Sequence, residues 1–106
     1  MIYSRPQRQL VTEESIADRI IKEVPEDFLR AIAHDQGHMV RSMIGRMIRN
    51  EYGLWEPDHP LTQHWHMNPE AREIIDGVDF SEDHPDQVSA RIIECVRTKL
   101  AGRFAP

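Results

Sequence analysis

The chain is expected to fold as an all-α domain, a compact irregular bundle of four to five helices with one long loop that carries Trp and His. Three observations lead there. Apolar residues recur at helical spacing in several stretches. Pro25, Pro69 and Pro85 stand at the boundaries of those stretches. No segment alternates apolar and polar residues convincingly enough for a strand.

The first helix starts at Thr12, an N-cap residue followed by Glu13 and Glu14, whose charges suit the positive end of a helix. Ile16, Ile20 and Val24 then repeat every fourth residue and form one apolar stripe. Pro25 ends that helix, because it lacks an N–H, and suits the first position of the next. Phe28, Leu29 and Ile32 make a short second apolar patch that runs into the segment HDQGH.

The third helix has the broadest apolar face. In GHMVRSMIGRMIRNEYG, residues Met39, Val40, Met43, Ile44, Met47 and Ile48 cover about half of the circumference at about 100° per residue. It is expected to be the central helix. Gly53 is its stop, since glycine takes a positive φ without a Cβ clash. A short helix is expected from the Asn68 N-cap and Pro69 to Gly77, burying Ala71, Ile74 and Ile75, with Phe80 docking into the core. Pro85 opens the last helix, where Val88, Ile92, Val96 and Leu100 recur every fourth residue.

At 106 residues the chain is one domain: an N-terminal arm at 1–11, a helical domain at 12–101 and a tail at 102–106. The formal charge of −5 disfavours nucleic acid as a partner and fits a protein partner with a basic surface. There are six His, so complete protonation would reverse the sign. Cys95 is the sole cysteine and cannot form an internal disulfide. The N-terminus MIYSRPQRQL lacks the apolar core of a signal peptide, and no run approaches the roughly 20 apolar residues of a membrane span. A cytoplasmic location follows as an expectation, and the breadth of the third helix's apolar face makes a homodimer a further one.

Residues Ile48 to Met67, IRNEYGLWEPDHPLTQHWHM, raise the functional question. A connection of this length is uncommon unless it is functional or packs on itself. Trp55, Leu61 and Trp65 are expected to hold it against the bundle, and Asn50 to pin its base as a structural polar clamp beside Arg49. His59, His64 and His66 would then form an outward rim. Trp, Tyr and Arg dominate interface hot spots, so Trp55, His59, His64, Trp65, His66 and Arg49 are the candidate interaction residues.

Other chemistry has thinner support. His34 and His38 are four apart, as paired metal ligands on a helix often are, but HDQGH lacks the Glu that a zincin helix places beside its first His. His64 and His66 share one side of an extended chain and are metal candidates on the same terms. Each set has a structural reading, a helix junction for the first and aromatic packing around Trp65 for the second. Ser42, Ser81 and Ser89 have no recognisable nucleophile context, there is no Gly-rich phosphate loop, and Cys95 reads as an inert core thiol. No catalytic residue and no cofactor is assigned, and the enzyme reading is disfavoured. The acidic run SEDHPD, Ser81 to Asp86, reads as a solvated turn that favours the helix after it.

The segments GHMVRSMIGRMIRNEYGLW, PLTQHW and DHPDQVSARII together resemble a family of small bacterial and phage-encoded helical domains with no assigned activity. Its pattern is an I-R-N followed by Leu-Trp, then H-P-D with a Ser three residues on. Here these are Ile48, Arg49, Asn50, Leu54, Trp55, Pro85, Asp86 and Ser89. The resemblance spans roughly Thr12 to Leu100 and implies a single helical domain in which the loop after the third helix matters. It implies no catalytic residue and no cofactor.

The functional expectation is a non-enzymatic interaction protein: a regulator, inhibitor or accessory subunit that occupies a surface of a larger protein, a phage-encoded anti-defence role being one version. The alternative is a metal- or small-molecule-binding domain built on the His cluster and Arg49.

Overall fold

The structure is a computed structural model that describes residues 11–34 and 38–104, with the side chains of 11–34 and 42–104. The N-terminal arm before Val11 lies outside the described residues, as do Asp35, Gly37 and the side chains of His38, Met39, Val40 and Arg41. The order is α1 (Glu13–Glu23), α2 (Glu26–His34), α3 (His38–Glu51), α4 (Gln63–Met67), a 3-10 turn (Pro69–Ala71), β1 (Ile74–Ile75), β2 (Val78–Asp79) and α5 (Pro85–Lys99). The architecture is the expected helical bundle, with one small two-stranded sheet added.

Local chemistry explains most boundaries. Thr12 Oγ1 accepts from Ser15 N–H at 3.0 Å and Ser15 Oγ accepts from Thr12 N–H at 3.2 Å, a reciprocal capping box that opens α1. Pro25 separates α1 from α2. Gly53, at φ 71°, ends α3 one turn past Ile48. His84 caps α5, its Nδ1 accepting from Asp86 N–H at 2.9 Å, with Pro85 as the first helical residue.

The central element is α5 rather than α3, for α1, α2 and α3 all pack against it. Val88, Ile92, Ile93 and Val96 of α5 are buried, and they meet Ile16 and Ile20 of α1, Leu29 and Ile32 of α2, and Ile44 and Ile48 of α3. Of the expected face of α3, Ile44 and Ile48 are buried, Met47 is half-buried and Met43 is exposed, while the side chains of Met39 and Val40 lie outside the described residues. Phe28 is exposed too, so Leu29 and Ile32 seat α2, with Ala33 partly buried beside them.

The helix expected between Asn68 and Gly77 does not form. A single 3-10 turn follows Pro69, and Ile74–Ile75 pairs antiparallel with Val78–Asp79. Asp76 and Gly77 form the turn with φ of 51° and 81°, the two positive angles of a type I′ hairpin, which favours Asp-Gly. The pair Ile74–Ile75 therefore stands exposed on a strand, and Phe80 is exposed rather than docked in the core.

Candidate functional site

The chain leaves α3 through Tyr52 and Gly53, and Leu54 turns inward to full burial. A succession of turns follows: Glu56 N–H donates to Gly53 O, His59 N–H to Glu56 O, and Thr62 N–H to His59 O. Each closes three residues on, so the backbone is satisfied without a long helix. Two polar side chains fix this path from inside. His59 is 1% exposed, and its Nδ1 accepts from Leu61 N–H at 3.1 Å. Thr62 is fully buried and donates from Oγ1 to Leu54 O at 2.8 Å. His66 Nε2 lies 3.3 Å from the same carbonyl.

This reassigns the expected fasteners. Leu54, His59 and Thr62 hold the loop, with Leu61 partly buried against the core. Trp55 is 46% exposed, and it touches Trp65 and His84 through its ring edge rather than anchoring in the core. His59 is interior rather than on the rim, because its imidazole serves as a backbone acceptor two residues from its own position. Nor does Asn50 clamp the base: it is exposed on α3, and the polar clamp belongs to its neighbour. Arg49 Nη1 donates to Ser89 Oγ at 3.0 Å and lies 3.3 Å from Asp86 Oδ1. One residue along a helix is a rotation of about 100°, enough to separate an exposed amide from a guanidinium turned toward α5. Ser89 is buried, and its hydroxyl in turn donates to Asp86 O at 3.0 Å. The Arg49 guanidinium lies close over Gly45, where a Cβ would sit 3.0 Å from Nη1.

Trp65, on α4, is the hub of the exposed side. Its indole Nε1–H donates to Asp79 Oδ2 at 2.9 Å. The Arg72 guanidinium lies over its ring, 3.9 Å from the centroid, while Arg72 Nε donates to the Trp65 carbonyl at 3.1 Å. His84 meets Trp65 edge to face at 4.7 Å, and Trp55 meets Trp65 at 6.2 Å and His84 at 5.7 Å, all steeply inclined. Trp55, Trp65 and His84 thus form three mutually tilted rings, with Trp55 outermost.

Asp79 completes the hub. Hydrogen bonding from the Ser81 side chain, outweighing the cost of its partial burial, and then from the Ser81 N–H and the Trp65 indole, holds its carboxyl down at about 2. Ser81 Oγ also accepts from Glu73 N–H at 2.8 Å, which ties the hairpin base to the segment entering α5. Between α4 and this base runs a cleft of about 140 Å³, lined by His64, Trp65, Arg72, Ser81 and Asp83 among others.

The remaining histidines scatter. His64 is exposed, with Nδ1 3.9 Å from Asp83 Oδ2. His34 is exposed at the end of α2, and the side chain of His38 is outside the described residues. Among the described residues, no group of three or more His, Cys, Asp or Glu is placed to hold a metal ion. No described helix is long and apolar enough to cross a membrane. Burial pushes the Cys95 thiol up, away from the reactive thiolate.

Four members of the site were not singled out by sequence: Arg72, Asp79, Ser81 and His84. His84 had a signal, since a residue before a helix-opening Pro is at the N-cap. Arg72 and Asp79 had none, because their relation to Trp65 exists only once the hairpin folds back. The residues Arg49, Asp86 and Ser89 of the I-R-N/H-P-D…S pattern do converge on one polar clamp between α3 and α5. No protein-family model, no curated protein and no solved structure matches the chain.

Proposed function

We propose that this chain is a non-enzymatic interaction protein that occupies a surface of a larger protein partner in the cytoplasm, as a regulator, inhibitor or accessory subunit. The observation that carries this reading is Trp55. It is 46% exposed although it follows the fully buried Leu54. Edge-to-face packing on Trp65 and His84 holds it in place. A large ring already fixed in one orientation loses little side-chain entropy on docking, so less of the gain from burying it is offset by ordering. Affinity capture with the full-length protein from a lysate of its source cells tests this. A stoichiometric partner retained by the wild type and lost by Trp55→Ala at unchanged melting temperature supports it. The absence of any stoichiometric partner, or equal recovery by both proteins, overturns it.

A second reading, small-molecule binding, draws on the cleft beside Trp65, where Arg72, Ser81 and His64 offer polar groups beside an aromatic wall. A thermal-shift screen of small carboxylates and amines separates the two readings. Ligand stabilisation abolished by Arg72→Gln favours the cleft; Trp55-dependent capture without any such ligand favours docking.

A further inference from the structure

Beyond Trp55, the hairpin at 74–79 carries a cluster of exposed apolar side chains. Register and pleat divide its side chains between two faces. Ile74 pairs with Asp79 and Ile75 with Val78, and Phe80 N–H donates to Glu73 O at 2.8 Å, extending the ladder by one more pair. Paired residues share a face and successive pairs alternate. Asp79 bonds Trp65, so the pair of Asp79 and Ile74 stands on the face toward α4, where Ile74 is still 59% exposed. Ile75, Val78 and Phe80 share the opposite face, where they are 59%, 52% and 54% exposed. Three large apolar side chains on one side of a two-stranded ribbon are more than scattered surface residues, and a ribbon this short gains no core from them.

Charge states what can cover that face. Ten of the chain's eighteen acids lie between Glu51 and Asp86, and Arg72 is the only Lys or Arg among them. Arg72 itself lies over the Trp65 ring at 3.9 Å. Glu73 and Asp76 flank the apolar face directly, and Glu70 and Glu82 lie exposed on either side of the hairpin in sequence. The stretch of chain that carries the hairpin thus holds the larger share of the acids. A second copy docking face to face would bring Glu73 and Asp76 of both copies together at a like-charge cost. A partner with basic residues around an apolar patch meets both requirements at once.

We propose that the hairpin face turned away from α4, Ile75, Val78 and Phe80 within an acidic rim, is a docking surface for a protein partner that presents an apolar patch ringed by Lys and Arg. This rests on the reading of the chain as a protein-interaction module and names the partner's chemistry. The apolar residues supply contact area, and the rim steers association and selects the sign of the partner.

The test uses full-length protein, labelled at its N-terminus, on an array of twelve-residue peptides that alternate Val, Ile or Tyr with a guest residue. One set carries Lys or Arg as guests, one Ser or Asn, and one Asp or Glu. The expected result is retention on the Lys/Arg set at least about tenfold above the Ser/Asn set, eroded by salt. Ile75→Asn with Val78→Asn should abolish it. Glu73→Lys with Glu82→Lys, which spares the turn, should shift the preference toward the Asp/Glu set, a readout that stands even if the first variant fails to fold. Equal retention of the Ser/Asn set, no retention on any set, or Lys/Arg binding indifferent to the charge-reversed variant overturns the proposal. So does a concentration-dependent dimer that Ile75→Asn with Val78→Asn disperses, which gives the face to a second copy. A captured partner lost by Trp55→Ala but kept by both hairpin variants overturns this inference alone and leaves the interaction reading standing.

Discussion

The indole N–H of Trp65 donates to Asp79 at 2.9 Å, and this bond joins the loop after α3 to the hairpin that precedes α5. Asp79 shares its two oxygens between Trp65 and the Ser81 N–H, at 2.9 and 2.8 Å. The hairpin has two residues per strand and no core of its own, so it owes its position to these contacts and to Arg72. The exposed side of the protein is in consequence one connected set of contacts, running from Trp55 through His84 and Trp65 to the hairpin.

Asp79→Asn tests that set of contacts through pH. The folded carboxyl is depressed from 3.8 to about 2, so its contribution is fully present above the unfolded value and is lost as pH falls from about 4 through 2. The wild type is expected to melt above Asp79→Asn at pH 6, with the gap closing across that acid window. Circular dichroism and Trp emission read it. A gap independent of pH would show that the charge of Asp79 is immaterial and only its shape matters.

The clamp between α3 and α5 makes a different prediction. Arg49 bonds Ser89 at 3.0 Å, while its partner Asp86 is well exposed at 3.3 Å, so the buried hydroxyl matters more than the ion pair. Ser89→Ala is expected to cost about 1–2 kcal/mol. At Gly45, a Cβ would meet Arg49 Nη1 at 3.0 Å. Gly45→Ala should therefore gain less than the usual ~1 kcal/mol of helix propensity in the wild type, and the full amount in an Arg49→Met background. Equal effects in both backgrounds, measured by urea denaturation, would place Arg49 elsewhere.

Inside the loop, His59 is 1% exposed and acts through Nδ1 as an acceptor for Leu61 N–H. The amide oxygen of Asn can occupy nearly the same place and makes the same bond two residues on. His59→Ala loses both the acceptor and the packing, and is expected to cost about 2–4 kcal/mol. His59→Asn should cost markedly less. If the two variants melt alike, volume rather than the hydrogen bond holds the turn.

What could be read in the sequence divides along the range of the interactions. The four-residue spacing of Val88, Ile92, Val96 and Leu100, the Thr12 cap and the Pro85 start are local signals, and the helices they mark are in place. The hairpin was hidden because Asn68-Pro69 imitates a helix start and Ala71, Ile74 and Ile75 fall at helical spacing. Strands of two residues are too short to alternate, and only Asp76-Gly77 marks the turn. Trp55 and His59 exchanged their expected roles because the imidazole serves inside the loop as the acceptor for a backbone N–H, whereas the indole had another ring to lean on. Arg49 and Ser89 are forty residues apart, a separation no periodicity bridges.

The last expectation concerns alkali. Tyr52 follows α3 and is 3% exposed. Burial, and then the charges of Glu23 and Glu51 against the smaller effect of Arg19, push its phenol up from 10.0 to about 12. A raised folded value means that this part of the stability is fully present below about pH 10 and is lost as pH rises from there toward 12, on the order of 2 kcal/mol in all. Phe fills the same space and cannot ionise. Tyr52→Phe should melt close to the wild type at pH 8 and clearly above it at pH 11. The difference arises because the unfolded wild-type chain releases a proton that the folded chain retains. Parallel melting curves for the two proteins from pH 8 to 11 would mean that the phenol titrates equally in both states, and hence that the junction of α3 with the loop opens to water.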